Sequence, residues 1–259
     1  MPSSRRKQRK QRKHPYRRLH LPDNAPFELK PSPGKGWGAF ATRPIKTGEV
    51  ILQESPYFAV PHFTVPYVVE DATRLRLAMA LGFWRLTADQ LQQFNLLRKH
   101  ESAQFPDNVT ALCNSFTLDA VDGEHQNRGI FPLQSRFHHS CVPNSRVSPS
   151  GEQQRSLSRI ATRDISQGEE ITFCYLPLLE YNTRRERQLA LVELVCKCEA
   201  CLPGTPFQEA SDMRRRLLHG LHYFLTGRDI DGKKLSDDSS PIIFPELKRA
   251  AENREITRP

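Results

Sequence analysis

The sequence predicts a mostly β domain with one helical insert, an α+β fold of small sheets, followed by a cysteine-rich segment. Three observations predict it. Short strand-like runs separated by Gly and Pro turns recur over residues 27–60 and again over 114–175. Apolar residues at helical spacing occupy 66–113 between them. Three of the six cysteines fall within the six residues from Cys196 to Cys201. A chain of 259 residues, 37% of them apolar, can bury one substantial core, or one core with a small appendage. No run approaches the apolar length that spans a bilayer, so a soluble protein is expected. The 20 Pro against 13 Gly suggest many connections of fixed geometry, and no internal repeat is expected.

The net charge of +9 is local. Residues 1–18 hold nine Lys or Arg and no acid, and removing those nine leaves 29 basic against 29 acidic residues. Such a stretch repels itself and has little apolar surface to bury, so residues 1–22 are expected to form a basic disordered tail. It fits a nuclear-import signal, a patch for nucleic acid or another acidic partner, or a purely solubilising tail. It lacks the apolar core of a secretory signal and the apolar face of a mitochondrial presequence.

The folded pattern begins at Phe27, with a short strand to Leu29. Pro31-Ser-Pro-Gly-Lys-Gly-Trp-Gly38 follows, a Gly-rich turn that lacks the spacing of a phosphate loop. Lys46-Thr-Gly-Glu49 turns into a strand over Val50 to Val60. In the insert, Leu75, Ala78, Met79 and Leu81 fall at helical spacing, and Thr87 with Gln90 forms a capping box. Asp107 is placed to cap a short helix ending at Cys113, and Asn114 to Leu118 returns to strand. Asp119 to Arg128 reads as an exposed loop.

Gly129 to Leu133 is apolar, and His138-His-Ser-Cys-Val-Pro-Asn144 then gathers two imidazoles, a hydroxyl, a thiol and an amide. Pro143 has no amide hydrogen, so this stretch must turn. Arg146 to Ser150 and Arg155 to Ala161 flank a Gly151-Glu152 turn as in a hairpin. Ser166-Gln-Gly-Glu169 is a second turn feeding an apolar strand, which ends at Tyr175. Thr183 and Glu186 form another capping box, opening a helix with Leu189, Val192 and Val195 on one face. That helix delivers Cys196-Lys-Cys198-Glu-Ala-Cys201. With no secretory signal, this clustering points to a structural zinc site before disulfides. Its fourth ligand must come from elsewhere: Cys141, Cys113, Cys174 or a His. From Ser211, the residues Met213, Leu217, Leu221 and Phe224 share one helical face that ends near Gly227. Asp229 to Ser240 reads as a mobile loop and Pro245 to Ile256 as a short polar helix.

Gly36-Trp-Gly38, His139-Ser-Cys-Val-Pro-Asn144, Gly168-Glu-Glu-Ile-Thr-Phe-Cys-Tyr175 and Cys-x-Cys-x-x-Cys, in this order, resemble the SET-domain protein lysine methyltransferases over roughly residues 27–205. Cys113-Asn-Ser-Phe116 and the insert are most similar to the SMYD-type branch and related fungal proteins. Two departures stand out: the insert has no Cys/His cluster, so the MYND finger is missing, and the C-terminal part is short for that branch's helical repeats. The organisation this implies is a SET domain over 27–180, a zinc-binding post-SET segment over 181–207 and a helical tail over 208–259 that packs on the core or covers the donor site.

The resemblance implies that His138–Asn144 is threaded through the loop around Gly168–Tyr175, a pseudoknot, and that Cys141 completes a zinc site with Cys196, Cys198 and Cys201. It implies S-adenosylmethionine as methyl donor, held by Lys35, Gly36, Trp37, Asn114, His138, His139 and Tyr175. Here His138 replaces the family's usual Asn, and Leu194 stands where an aromatic ring covers the adenine, with Phe207 as the substitute. Tyr175 is the implied catalytic tyrosine, which orients the lysine amine. Phe173, with Tyr175, lines the substrate channel and leaves room for more than one methyl. The implied activity is methyl transfer to a lysine side chain of a protein, histone or other. An in-line displacement of this kind depends on alignment and a dry channel. Expected partners are the substrate protein and a nucleic acid or acidic partner for residues 1–18. A monomer in the nucleus, and in the cytoplasm as well, is expected, with no membrane association. The rival readings are a SET-derived module in chromatin that has lost catalysis, and a nucleic-acid-binding zinc protein.

Overall fold

A computed structural model describes residues 14–61, 69–97, 106–118, 127–150, 156–176, 180–191, 194–226 and 228–229. The chain divides into two compact units, one of Met1–Phe137 with Val147–Glu170 and one of His138–Arg146 with Ile171–Pro259. No described helix is long and apolar enough to cross a membrane.

The first unit begins with the hairpin of β1 (Phe27–Ser32) and β2 (Gly36–Ala41), paired antiparallel from Phe27↔Ala41 to Ser32↔Gly36. Alternation buries Phe27 and Leu29. The turn between the strands needs φ of 75° at Gly34 and 92° at Gly36, backbone that side chains disfavour. The strand expected over Val50 to Val60 is two strands, β3 (Val50–Glu54) and β4 (Ala59–Pro61). Pro56 lies in the gap, where its missing N–H cannot serve a ladder. The halves consequently enter different sheets. β3 joins β8 (Ser145–Ser150) and β9 (Ser156–Ala161) in the order β3-β9-β8, and β4 joins β5 (Ser115–Leu118) and β6 (Asn127–Ile130) in the order β4-β6-β5.

The insert is helical as expected: α1 (Val69–Trp84), α2 (Ala88–Asn95) and α3 (Pro106–Cys113). Met79, Phe94, Leu97 and Ala111 bury against Val60 and Ile130, with Leu75, Ala78 and Phe83 packed around them. Leu81 is exposed, because two residues turn a helix about 200° away from Met79. The Thr87–Gln90 capping box is present. Asp107 is not the cap of α3. The helix starts at Pro106, so Asp107 lies within its first turn.

An internal repeat, not expected from the sequence, adjoins two of the sheets of this unit, at the ends of β2 and β9. Ala41-Thr-Arg-Pro-Ile-Lys-Thr-Gly-Glu49 and Ala161-Thr-Arg-Asp-Ile-Ser-Gln-Gly-Glu169 are identical at six of nine positions. Ile45 and Ile165 exchange backbone hydrogen bonds at 2.9 Å in both directions, while Gly48 N donates to Ala161 O at 2.9 Å and Gly168 N to Ala41 O at 2.8 Å. Arg43–Glu49 and Arg163–Glu169 close each arm with the same 2.6 Å ion pair. Nine residues are too few to stand out by composition, but the pairing makes them one near-symmetric clasp.

Residues 14–22 are not a disordered tail. Leu19 is 7% exposed, and Gln93 of α2 accepts from His20 N at 2.7 Å and donates to Arg18 O at 3.0 Å. One apolar anchor and one buried amide suffice to dock this short segment. Residues 1–13, the loop 119–126, the turn at Gly151-Glu152, Val192, Gly227 and the segments expected over 230–240 and 245–256 lie outside the described residues.

In the second unit β7 (His138–His139) pairs parallel with β10 (Thr172–Phe173), and α4 (Arg184–Ala190) and α5 (Pro206–Thr226) follow. The last strand ends at Phe173, so Tyr175 lies beyond it, 47% exposed. α4 stops at Ala190; Leu189 and Val195 are exposed, and Leu191 is buried instead. α5 starts before Ser211, and Met213 and Phe224 of its expected apolar face are exposed.

Candidate functional site

The second unit gathers the central stretch around four sulfurs. Beyond Thr172↔His138 and Phe173↔His139, Ser140 N donates to Phe173 O at 3.0 Å, Thr172 N to Asn144 Oδ1 at 2.8 Å and Ser145 Oγ to Thr172 O at 2.8 Å. Pro143 is in the bend, where Val142 N donates to Ser140 Oγ at 3.0 Å. These bonds aim Cys141 at Cys196, Cys198 and Cys201, and the four Sγ atoms lie within 4.8 Å of one another.

The spacing identifies the chemistry. Cys141 Sγ is 3.9 Å from Cys196 Sγ and 3.6 Å from Cys201 Sγ, and all four cysteines are free. Disulfide sulfurs lie at about 2.05 Å. Thiolates bound tetrahedrally at about 2.3 Å have mutual separations near 3.8 Å, the values seen here. The residues fit a tetrahedral thiolate-bound ion. Cys113 and Cys174, the other cysteine candidates, are not in the cluster.

Without an ion, hydrogen bonding among the thiols spreads their affinities for protons. Cys141 acts first to draw the Cys198 thiol down to about 6, and it also draws Cys201 down, while Cys141 itself is pushed up by Cys196. Four thiolates around a divalent ion carry a net charge of −2, and two arginines offset it. Arg187 is wholly buried and donates to Cys201 Sγ at 3.6 Å and Ala200 O at 2.8 Å, and Arg215 Nη2 donates to Cys141 O at 3.0 Å. Leu191, Ala200, Val142 and Leu176 form the apolar surroundings. The sequence offered no signal for these arginines, which look like any of the 38 basic residues.

His139 joins the cluster to the tyrosine. Its Nδ1 accepts from Tyr175 N at 3.0 Å, so Nε2 carries the proton and faces Cys141 Sγ at 3.2 Å. The tautomer thus follows from the hydrogen bonds. The His139 ring also lies 5.2 Å from the Tyr175 ring, and Phe173 lies 4.8 Å from it on its own strand segment. His138, on β7, is half-buried. Leu194 and Phe207 are both partly exposed.

The first unit holds the other singled-out residues. Lys35, Gly36 and Trp37 stand at the β1–β2 turn, where Lys35 Nζ meets Glu170 Oε2 at 3.3 Å. Asn114 is buried at the end of α3. Its Nδ2 donates to Thr110 O at 2.6 Å and its Oδ1 accepts from Arg136 Nη2. Arg136, missed in the sequence, therefore fixes which way the amide faces. Gln134 and Arg159 are a second buried pair, with Arg159 Nε donating to Gln134 Oε1 at 3.0 Å and its guanidinium 3.9 Å over Phe137.

The SET domain signature matches residues 36–176, more than half of the chain. The chain is 28% identical over 197 residues to the Histone-lysine N-methyltransferase set5 of Schizosaccharomyces pombe, covering 74% of this chain and 56% of that protein. It is 37% identical over 122 residues to the Histone-lysine N-methyltransferase SMYD3 of Mus musculus, covering 47% and 28%. It is also 33% identical over 107 residues to the N-lysine methyltransferase SMYD2 of Homo sapiens, covering 38% and 24%. The chain spans about half the length of the first of these relatives and about a quarter of the other two. The ordered motifs, the tyrosine held beside a four-cysteine cluster and the match over residues 36–176 agree: this chain belongs to the SET domain family.

Proposed function

We propose that this protein is an S-adenosylmethionine-dependent methyltransferase acting on lysine side chains of a protein. The observation that carries the reading is His139, whose two ring nitrogens meet the Tyr175 amide and the Cys141 sulfur and so set the tyrosine against a metal-competent cluster. The names of the relatives, histone-lysine and N-lysine methyltransferases, support it. S-adenosylmethionine supplies an electrophilic methyl group on a sulfonium. Tyr175 orients the attacking amine, and Phe173 beside it shapes the space around that amine. Lys35, Gly36, Trp37, Asn114, His138, His139 and Tyr175 hold the donor, and Phe207 takes the place of the adenine-covering ring. Cys141, Cys196, Cys198 and Cys201 hold zinc, which fastens the segment that carries them.

The substrate class follows from the names of the relatives, with histone lysines first to be tried. The basic N-terminus supports a nuclear address and contact with nucleic acid or another acidic partner; a reporter fused to residues 1–22 that stays cytoplasmic would reject it as a sufficient signal.

Calorimetric titration of S-adenosylmethionine into zinc-loaded protein, with labelled methyl transfer to histones, tests the enzyme reading. Wild type and Tyr175→Phe should both bind the donor, and the variant should lose at least about 100-fold in turnover. A well-folded, zinc-replete protein that binds no donor would instead be a module that has lost catalysis.

A further inference from the structure

We propose that residues 14–20 form a strap that positions two donor residues, Trp37 and Asn114, and so contributes to donor affinity. The proposal rests on the donor assignments above and extends them to residues that no family motif contains.

The strap is fixed at one end and reaches two places at the other. Leu19 is buried, and Gln93 clamps the backbone on both sides of it through His20 N and Arg18 O. Upstream the chain turns, with Leu19 N donating to Tyr16 O at 3.0 Å and Tyr16 N to His14 Nδ1 at 3.1 Å. This turn sends two side chains to different targets. The His14 ring lies 4.1 Å from the Trp37 ring at an interplanar angle of 31°, a close, tilted contact. Tyr16 Oη accepts from Arg136 Nη1 at 2.7 Å, and the same guanidinium lies 4.9 Å over the Tyr16 ring.

Arg136 passes this restraint on to Asn114. Its guanidinium donates to neutral oxygens: Pro132 O at 3.2 Å, Ser135 Oγ at 3.1 Å, Tyr16 Oη and Asn114 Oδ1. Among the described residues no carboxylate forks it in place, so each of these contacts carries a share of its orientation. Tyr16 supplies two of the restraints, the hydroxyl and the ring face. Asn114 depends on Arg136 in turn, because Thr110 O holds the nitrogen end of its amide and Arg136 the oxygen end. Loss of the Tyr16 hydroxyl loosens Arg136, and then the oxygen of Asn114. Loss of the His14 ring uncovers one face of Trp37.

His14 is exposed and Tyr16→Phe keeps the ring, so neither change threatens folding. In the full zinc-loaded chain, Tyr16→Phe should weaken S-adenosylmethionine binding by about 5- to 10-fold and His14→Ala by about 3-fold, with His14→Phe, which keeps the ring but not the Nδ1 acceptor, restoring part of it. The loss should fall on the donor KM rather than on kcat, which a merely structural role would not single out. A donor-free readout accompanies it. The chain has two tryptophans, so in a Trp84→Phe background the remaining indole is Trp37. Its acrylamide quenching should rise with His14→Ala and return with His14→Phe. Wild type that binds the donor alongside variants that bind it equally well overturns the strap alone. Wild type that binds no donor overturns the donor assignments, and the strap's role falls with them.

Discussion

The helical insert and the cysteine lobe each contain a helix opened by a capping box, yet they hold together by different means. In the insert, Met79, Phe94 and Leu97 bury against Val60 and Ile130, and the Phe83 ring meets those of Phe58 and Phe94 edge-on at 5.2 and 5.0 Å. In the lobe, Leu189, Val195, Met213 and Phe224 are exposed, while the buried set is three cysteines with Leu191, Ala200 and Arg187. Helical apolar spacing therefore matched burial at Met79, though not at Leu81, in the insert, and failed at Leu189, Val195, Met213 and Phe224 in the lobe. A stripe is buried only where another apolar surface meets it, and in the lobe the buried place is taken by the cysteine cluster.

Metal removal should separate the two regions most strongly. With zinc bound, chelation should take away binding energy on the order of 10 kcal/mol, and Cys201→Ser a part of it. Amide exchange should then quicken first across Arg184–Ala190 and Cys196–Leu202, and least among the insert residues around Phe94. Equal loss in both regions would erase the contrast.

The next effect lies beside the insert. Burial pushes the Glu54 carboxyl up to about 7, against the opposing pull of the Leu133 and Gln134 amides, at 2.9 and 2.7 Å, and of Arg159 and Arg136. Its folded pKa lies above the ordinary value of 4.5, so the folded state holds the proton more tightly. This contribution is complete below about pH 4.5 and is lost as pH rises through 7, amounting to at most about 3 kcal/mol. Urea unfolding between pH 4.5 and 8 should show this slope, and Glu54→Gln should flatten it. An unchanged slope in the variant would assign the titration elsewhere.

The capping boxes give the smallest and most direct comparison. Thr87→Ala should lower the denaturant midpoint by the equivalent of about 1 kcal/mol. Thr183→Ala in metal-loaded protein should shift it less, because the sulfurs hold the lobe, and its full effect should emerge only after chelation. Equal shifts in loaded protein would show that α4 does not lean on the cluster.

Much of the fold was legible because it rests on short-range chemistry. Glycines mark the turn at Gly34–Gly36, the Thr/Gln and Thr/Glu spacings mark both helix starts, and the insert's periodicity marks its helices. The family motifs named three local cysteines and, through the resemblance, Cys141, which the structure places with them. The residues around the site were not legible. Arg136, Arg159 and Arg187 are buried by contacts that converge from remote parts of the chain, and nothing in their neighbours distinguishes them from surface arginines. Tyr16 and Leu19 were absorbed into a charge pattern that describes the residues before them.

By itself the sequence determined element types, the order of the family motifs and the presence of a thiolate cluster, since each depends on neighbours a few positions apart. The tertiary structure alone decided that the 50–60 run splits between two sheets, that Ala41–Glu49 and Ala161–Glu169 clasp each other, and which His139 nitrogen carries the proton. It also decided that a basic N-terminal segment ends docked on Gln93. These outcomes depend on backbone and side-chain partners tens of residues away, which local spacing cannot reveal.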